Sequence, residues 1–321
     1  MIAKLVRAAT YIVAIIGMLV TLAALAARQV PITSHAVLFV AAYSPYLMVG
    51  AAIAAVLLLL TRRWRTAAVA IALTAAAIAA ELSLFIAATP PQDSAAVRVL
   101  TANLRVGEAE PNSLIDIANQ NADVVVVQEL TRQLADTLDQ TGIKATFPYQ
   151  ALEPGEYGHG VGIWSRYPIT ASSRIDGYRL DMVSADIAVR GTDQDTVFVA
   201  VHLPGPWPQE IDGWRDEIDR LPTTLGEIKD KADGRPVIVA GDFNATYDMA
   251  PFRKLLTDGF EDAAEQSGAG ITRTFPSDST PRFGIDHVLT YNATATDVQT
   301  VRVPGSDHLG LLATVRLTPL R

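Results

Sequence analysis

Residues 240–246 read AGDFNAT and follow RPVIV, a short apolar run at 235–239. A buried strand thus surfaces onto Gly241, Asp242, Phe243 and Asn244. An acid and an amide two residues apart can form a turn, because both side chains bond nearby backbone. They can also be a general base beside a phosphate-binding amide, held rigidly at a sheet edge. The pattern recurs along the chain. Asn103 follows VLTA, Glu129 follows VVVVQ, His159 precedes GVGIW, and His202 follows VFVAV. Asp286 and His287 open another β-branched run, and Asp307 and His308 follow a Pro-Gly-Ser turn. A lone histidine is more often a satisfied structural residue than a reactive one. Here four of the five histidines stand at strand edges with carboxylates in the same pattern, which points to a shared site. Asn103, Asp242, Asn244 and Asp307 each retain a turn or capping reading. Glu129 is harder to dismiss, because an acid ending an apolar strand needs a partner or a cation. His287 alternates away from Asp286 along its strand and reads as structural.

The elements that must position these residues are short. Nine runs are predicted as strands, at 97–104, 123–129, 160–165, 182–190, 196–203, 235–242, 285–290, 297–303 and 311–317. Polar helical stretches fit at Ser113–Asn121 and Ile211–Lys231. Continuous apolar runs such as VVVV suggest strands buried on both faces. Two packed sheets with helices outside, an α/β sandwich, are expected.

A different material precedes them. Ala8–Ala27 and Ala36–Leu60 carry no charge over 20 and 25 residues, and Ala67–Ala88 carries only Glu81 over 22. At 1.5 Å per residue each helix would cross a hydrocarbon core of about 30 Å. Residues 1–88 are therefore expected to be a three-span membrane anchor, 89–96 a proline-containing linker, and 97–321 the catalytic domain. Lys4, Arg7, Arg62, Arg63 and Arg65 flank the spans on one side and Arg28 alone lies in the first loop. The positive-inside rule then puts the C-terminal domain outside the cytoplasm, as part of a multi-pass plasma-membrane protein. The Ala24-Leu25-Ala26 pattern leaves a cleaved signal peptide as the alternative for span one. Glu81, near the outer end of span three, is expected to reach interfacial water.

The chain has no cysteine, which excludes disulfides, zinc–thiolate sites and thiol catalysis. Residues 97–321 carry 20 Lys and Arg against 32 acids, a balance of −12, with no basic run.

The motifs TANL, VVQEL, HGVGIWSRYPI, VHLPGP, GDFNAT, IDHVL and GSDHLGL stand in an order that resembles the endonuclease/exonuclease/phosphatase superfamily. That superfamily includes DNase I, AP endonucleases, neutral sphingomyelinases and inositol polyphosphate 5-phosphatases. The resemblance covers roughly residues 97–317, and the anchor resembles the membrane-bound bacterial subgroup of VanJ-type teicoplanin-resistance proteins. It implies a DNase I-like sandwich and a hydrolase of phosphoric ester or pyrophosphate bonds that uses Mg²⁺ or Mn²⁺. Glu129 would be the principal metal ligand, with Asn103 and Asp307 helping. Asp242 would deprotonate the attacking water, and Asn244 would hold that water or a phosphoryl oxygen. His308, oriented by Asp286, would stabilise the phosphate. His202 would donate to another phosphoryl oxygen as a cation whose pKa nearby carboxylates raise. A tyrosine fills the place of His159 in many nucleases of the family. Here the histidine puts DNA-type contacts in doubt and offers one more phosphate donor.

A nuclease must neutralise phosphates with Lys and Arg, so the acidic balance disfavours nucleic acid. The stretch HLPGPWPQEIDGW at 202–214 puts Trp207 and Trp214 after a candidate catalytic histidine. It is either a loop leaning on the bilayer, with a lipid-linked substrate such as undecaprenyl pyrophosphate or a phospholipid head group, or a solvent loop with Trp214 packing a helix. An extracellular nuclease and a non-catalytic binding protein on the same scaffold are the alternatives. No protein partner is predicted.

Overall fold

Sequence rich in alanine and leucine, with few polar side chains to satisfy its backbone, bonds to itself as helix. In the computed structural model, which describes residues 1–91 and 94–318, these stretches form α1 (Ile2–Ala27), α2 (His35–Ala42), α3 (Ser44–Leu47), α4 (Val49–Leu60) and α5 (Trp64–Glu81). Two segments, Lys4–Ala27 and Trp64–Phe85, are long and apolar enough to cross a membrane. The second predicted span is bent by 64° between His35–Ala42 and Ser44–Leu60, and counts as a third span only if the bent pair is taken as one. The break falls beside Pro45, whose ring cannot continue a helix begun upstream.

These helices form one compact unit, Met1–Ser83, to which Tyr247–Arg253 also belongs. The close approach of α1 and α4 needs glycine on both sides. A Cβ at Gly17 would meet the Gly50 carbonyl at 2.6 Å, and one at Gly50 would meet that of Gly17 at 2.7 Å. Arg28 is buried and pairs with both Glu81 and Asp248, and it also donates to the Ala80 carbonyl at 3.0 Å. Glu81 therefore meets a guanidinium rather than interfacial water. A buried carboxylate is tolerated where a cation and hydrogen bonds replace its hydration.

The second unit is Leu84–Thr246 with residues from Lys254 onward. Its strands are β1 (Ala95–Asn103), β2 (Val124–Gln128), β3 (Tyr149–Glu153), β4 (Val161–Ser165), β5 (Ile169–Arg174), β6 (Val183–Ile187), β7 (Thr196–His202), β8 (Val237–Asp242), β9 (Glu261–Asp262), β10 (Asp286–Tyr291), β11 (Ala293–Arg302) and β12 (Leu309–Leu317). They make two six-stranded sheets, ordered β11-β12-β1-β2-β4-β3 and β5-β6-β7-β8-β10-β9. This is the expected two-sheet α/β sandwich. The facing valines, isoleucines and alanines of both sheets form its core. Of the predicted linker 89–96, Gln92 and Asp93 lie outside the described residues, as do the last three residues of the predicted catalytic domain. Ala95 and Ala96 already pair in β1.

Each sheet has a parallel pair at its centre, and a helix supplies the crossover that parallel strands require. Helix α6 (Pro111–Asn121) joins β1 to β2, and α8 (Ile211–Ala232) joins β7 to β8. Between them, α7 (Arg132–Thr141) follows β2. Parallel pairing places strand C-termini side by side, so Asn103 pairs with Gln128 just before Glu129, and His202 pairs with Asp242. Antiparallel β10 brings its first residue, Asp286, opposite Asp242. Antiparallel β12 likewise starts, at Leu309, beyond the C-terminal end of β1. Asn103, Glu129, His202, Asp242 and Asp286, from distant sequence positions, thus converge at one end of the sandwich.

Candidate active site

Glu129 and Asn244 both adopt left-handed backbone, with φ of 57° and 49°. Such conformations are uncommon outside glycine and need support from their surroundings. For Glu129 the support is its carboxylate. Oε2 accepts from the Val106 amide at 2.6 Å and Oε1 from Asn103 Nδ2 at 3.1 Å. For Asn244, the amide donates to Asp242 Oδ1 at 2.8 Å and the side chain donates to the Leu203 carbonyl at 2.8 Å. Trp214, buried on α8, holds the same turn by donating to the Phe243 carbonyl at 3.2 Å. It is not a loop residue, whereas Trp207 is 59% exposed. The two tryptophans of the 202–214 stretch thus have different tasks.

Asn103 is the hub of the site. Its Nδ2 donates to Glu129 Oε1 and, at 3.0 Å, to Asp242 Oδ2, while Oδ1 accepts from the Arg105 amide at 2.9 Å. One amide therefore links the two sheets through two carboxylates. Opposite, His308 Nδ1 bonds Asp286 Oδ2 at 2.9 Å, leaving Nε2 facing Asp242 Oδ2 at 3.9 Å. Ser306, which sequence reading left without a role, joins the two halves. Its hydroxyl donates to the Asn103 carbonyl at 2.7 Å and accepts from the His308 amide at 2.9 Å. The hydroxyl stands in the GSDHLGL motif, so the signal was present. Phe275 packs against the His308 ring, 4.8 Å between centroids.

Burial and charge set the protonation states. Burial first, and then the neighbouring Asp286 carboxylate, push Asp242 up to about 7, against the opposing pull of His308 and its own hydrogen bonds. Burial alone would discharge His308. The carboxylates of Asp286 and Asp242 outweigh it and raise the ring to about 10. His202 behaves otherwise than expected from sequence. Burial and the positive His308 lower its pKa to about 3, so it stands neutral. Its Nε2 lies 3.9 Å from Glu129 Oε1, and among the described residues its Nδ1 has no hydrogen-bond partner. The expected cation at this corner is His308 instead.

The remaining predicted residues border this cluster. His159 is exposed and is one of the neighbours that lower the pKa of His202. The neighbouring Gly158 allows the chain to pass Glu129, since a Cβ there would lie 3.3 Å from Oε2. Asp307 is half-buried, and its charge helps to hold the His308 proton. His287 faces away from the cluster, as its alternation predicts, and bonds Asp262 Oδ2 at 2.8 Å. Burial opposes a charged His287 ring, but the hydrogen bond and charge of Asp262 prevail and its pKa is raised.

Asp242, Asp286 and His308 each offer a ligand atom within 4.8 Å of the others, close enough to hold a metal ion. The His308–Asp286 hydrogen bond, however, already occupies the facing atoms of two of them. Hard divalent cations prefer all-oxygen sets. Glu129 adds a carboxylate beside the Asn103 side-chain NH2, whereas Asn103 Oδ1 already accepts from the Arg105 backbone amide. Two carboxylates from different sheets converge on the Asn103 NH2, which donates to both, a concentration of negative charge that suits a cation.

Comparison with known proteins decides the family. The Endonuclease/Exonuclease/phosphatase family matches residues 100–308. The chain belongs to that family. Its fold is similar to an endonuclease/exonuclease/phosphatase from Bacteroides vulgatus, at 18% identity and a TM-score of 0.58, over 70% of this chain and 99% of the other. TDP2 of D. rerio, solved with a single-strand DNA product, matches at 19% identity and a TM-score of 0.57, over 69% and 99%. A conserved protein of unknown function from Enterococcus faecalis matches at 16% identity and a TM-score of 0.55, over 68% and 98%. No curated protein matches the chain. Members of the family act as nucleases or phosphatases, and their common chemistry is hydrolysis of phosphoester bonds.

Proposed function

We propose that this protein is a membrane-anchored phosphoesterase, dependent on Mg²⁺ or Mn²⁺, that hydrolyses a lipid-linked phosphate ester or pyrophosphate outside the cytoplasm. The observation that carries the reading is the pair formed by Asp242 and His308. A carboxylate that ionises near neutrality faces, at 3.9 Å, an imidazolium held by Asp286. That is a base and an electrophilic donor with opposed protonation states in one pocket.

Asp242 takes a proton from water as the water oxygen attacks phosphorus and the bond to the leaving oxygen breaks. The Asn244 backbone amide bonds Asp242 Oδ1, and Oδ2, which accepts one hydrogen bond from Asn103, has its second lone pair to take that proton. His308 donates Nε2–H to a phosphoryl oxygen, since Asp286 engages its Nδ1. Neutral His202 donates a further hydrogen bond, and exposed His159 meets the outer part of the phosphate. A divalent cation held by Glu129, with Asn103 and Asp307, would supply charge neutralisation at the phosphoryl group.

Three further observations favour a lipid-linked substrate. The same chain carries apolar helices of spanning length. The acidic catalytic domain, at −12 over residues 97–321, suits one small head group better than a long polyanion. Exposed Trp207 is suited to an interfacial contact. The basic residues beside the apolar segments favour an extracytoplasmic domain.

The test is phosphate release by full-length protein in detergent. Undecaprenyl pyrophosphate, a phospholipid and plasmid DNA are offered side by side, with Mg²⁺ or EDTA and a Glu129→Ala control. Cation-dependent turnover of a lipid, lost in the variant, is the expected result. Cleavage of DNA alone would establish a nuclease, and no turnover with either cation would favour a binding protein. Protease accessibility of residues 97–321 in intact cells tests the orientation.

A further inference from the structure

Strand β10 carries two His–Asp pairs back to back. Asp286 faces the site and holds His308, while its neighbour His287 faces the opposite way and is held by Asp262. The second pair does more than fill the core. His287 Nε2 lies 2.9 Å from the Ala245 carbonyl, the residue after Asn244. A carbonyl cannot donate, so Nε2 carries a hydrogen. Asp262 Oδ1 accepts from the amides of Ala264 and Glu265 at 2.8 and 3.3 Å, the acceptor role of a helix cap. Both ring nitrogens are therefore engaged, Nδ1 with Asp262 and Nε2 with the Ala245 carbonyl.

Asp262 is itself a fixed post. It pairs with Leu289 of β10 and caps the short helix Ala263–Ser267. That helix is tied down by Gln266, which donates to the Ala293 carbonyl at 3.1 Å and accepts from the Ala295 amide at 2.8 Å. At the other end, Asn244 sits in left-handed backbone and must be held there from both sides. Asp242 and Leu203 hold it from the site. From behind, the hydrogen bond to Ala245 is the one that the ring supplies. A buried ionic pair is a poor choice for stability alone, since apolar residues of the same volume do as well or better.

We propose that His287, held by Asp262, is a positioning residue that fixes the Asn244–Ala245 turn and through it the Asp242–Asn244 geometry on which turnover depends. The turnover part rests on the phosphoesterase reading, whereas the positioning part does not.

Two measurements on the full-length protein in detergent separate them. The first is hydrogen exchange of the segment 240–247, followed by mass spectrometry in His287→Gln and in Asp262→Asn, which preserves volume. The expected result is exchange faster by about tenfold in this segment, with β1, β2 and β7 unchanged. Wild-type exchange in 240–247, or equal acceleration across both sheets, would overturn the proposal.

The second is a mutant cycle read with bis(p-nitrophenyl) phosphate and Mg²⁺. His287→Gln is expected to lower kcat about tenfold or more with KM within about twofold. In an Asn244→Ala background it should lower kcat no further. Full additivity with Asn244→Ala would show that His287 acts elsewhere and would refute the coupling. If wild type turns over nothing, the phosphoesterase reading fails and the exchange measurement still decides the positioning role.

Discussion

Replacing Asp286 with asparagine removes one carboxylate that acts on both reacting groups. In the wild type Asp242 must be ionised to take a proton, so kcat/KM should rise with pH through about 7. His308 must be protonated to donate, so kcat/KM should fall again through about 10. Asp286 contributes to both positions. Its charge and its 2.9 Å hydrogen bond stabilise the imidazolium, and its charge also disfavours ionisation of Asp242. A hydrogen bond to a charged group is worth about 1.5–3 kcal/mol, and about 1.4 kcal/mol corresponds to one pH unit. The alkaline limb of Asp286→Asn should therefore move down by about one to two units. The acid limb should move the same way by less, because burial, the larger cause for Asp242, is untouched. The active window thus narrows and shifts to lower pH. At its optimum the rate should still fall by about 10²-fold or more, because a neutral amide no longer stabilises the imidazolium or holds its ring orientation as the carboxylate does. The assay is the pH profile of kcat/KM with bis(p-nitrophenyl) phosphate at saturating Mg²⁺, for wild type and variant. An alkaline limb that stays fixed or moves upward would refute the assignment of His308 as an Asp286-held donor.

Other perturbations test the parts separately. Glu129→Gln keeps the size of the side chain but removes the charge offered to a cation. Turnover should fall about 10²-fold or more and half-maximal activity should require more Mg²⁺, as read by metal titration. Ser306→Ala takes away the bridge between the Asn103 carbonyl and the His308 amide. Stability should drop by about 1–3 kcal/mol in chemical denaturation of the catalytic unit, with kcat lowered. Gly17→Val places a side chain against the Gly50 carbonyl, and thermal unfolding in detergent should show α1–α4 packing weakened by about 1–3 kcal/mol. Stability of the metal-free protein should decline as pH rises from about 6.5 through 10, because His308 holds its proton more tightly folded than unfolded. Denaturant titration at a series of pH values measures it.

The strands that were legible in the sequence are those with β-branched apolar runs, whether central like Val124–Gln128 or at a sheet edge like Ala293–Arg302. VVVV at 124–127 can pack only as a central strand, and all four valines are fully buried. The three that went unread are edge or near-edge strands. Tyr149–Glu153 and Ile169–Arg174 end their sheets and present mixed polar sequence to solvent, and Glu261–Asp262 is two residues long. Their partners, not their own composition, make them strands. Helix α7 was missed for a related reason. RQLADTLDQT is polar apart from two leucines and an alanine, and only the leucines are buried. The site followed the same division. Residues at the ends of central strands could be placed together because the parallel pairs align those ends in register.

Charge was less legible. Sequence gives the types of the groups near His202 but not its burial, and burial with a positive His308 decides that it is neutral. The pair Asp286–His287 carries the lesson furthest. Adjacent residues on a strand point to opposite faces, so one letter of sequence separates the acid that orients His308 from the histidine that meets Asp262. Alternation alone was enough to remove His287 from the site. It could not reveal Asp262, 25 residues upstream on a two-residue edge strand, nor the Ala245 carbonyl that the same ring bonds. Read as an isolated side chain, His287 is core; read with both partners, it is the rear support of the turn that presents Asp242 and Asn244.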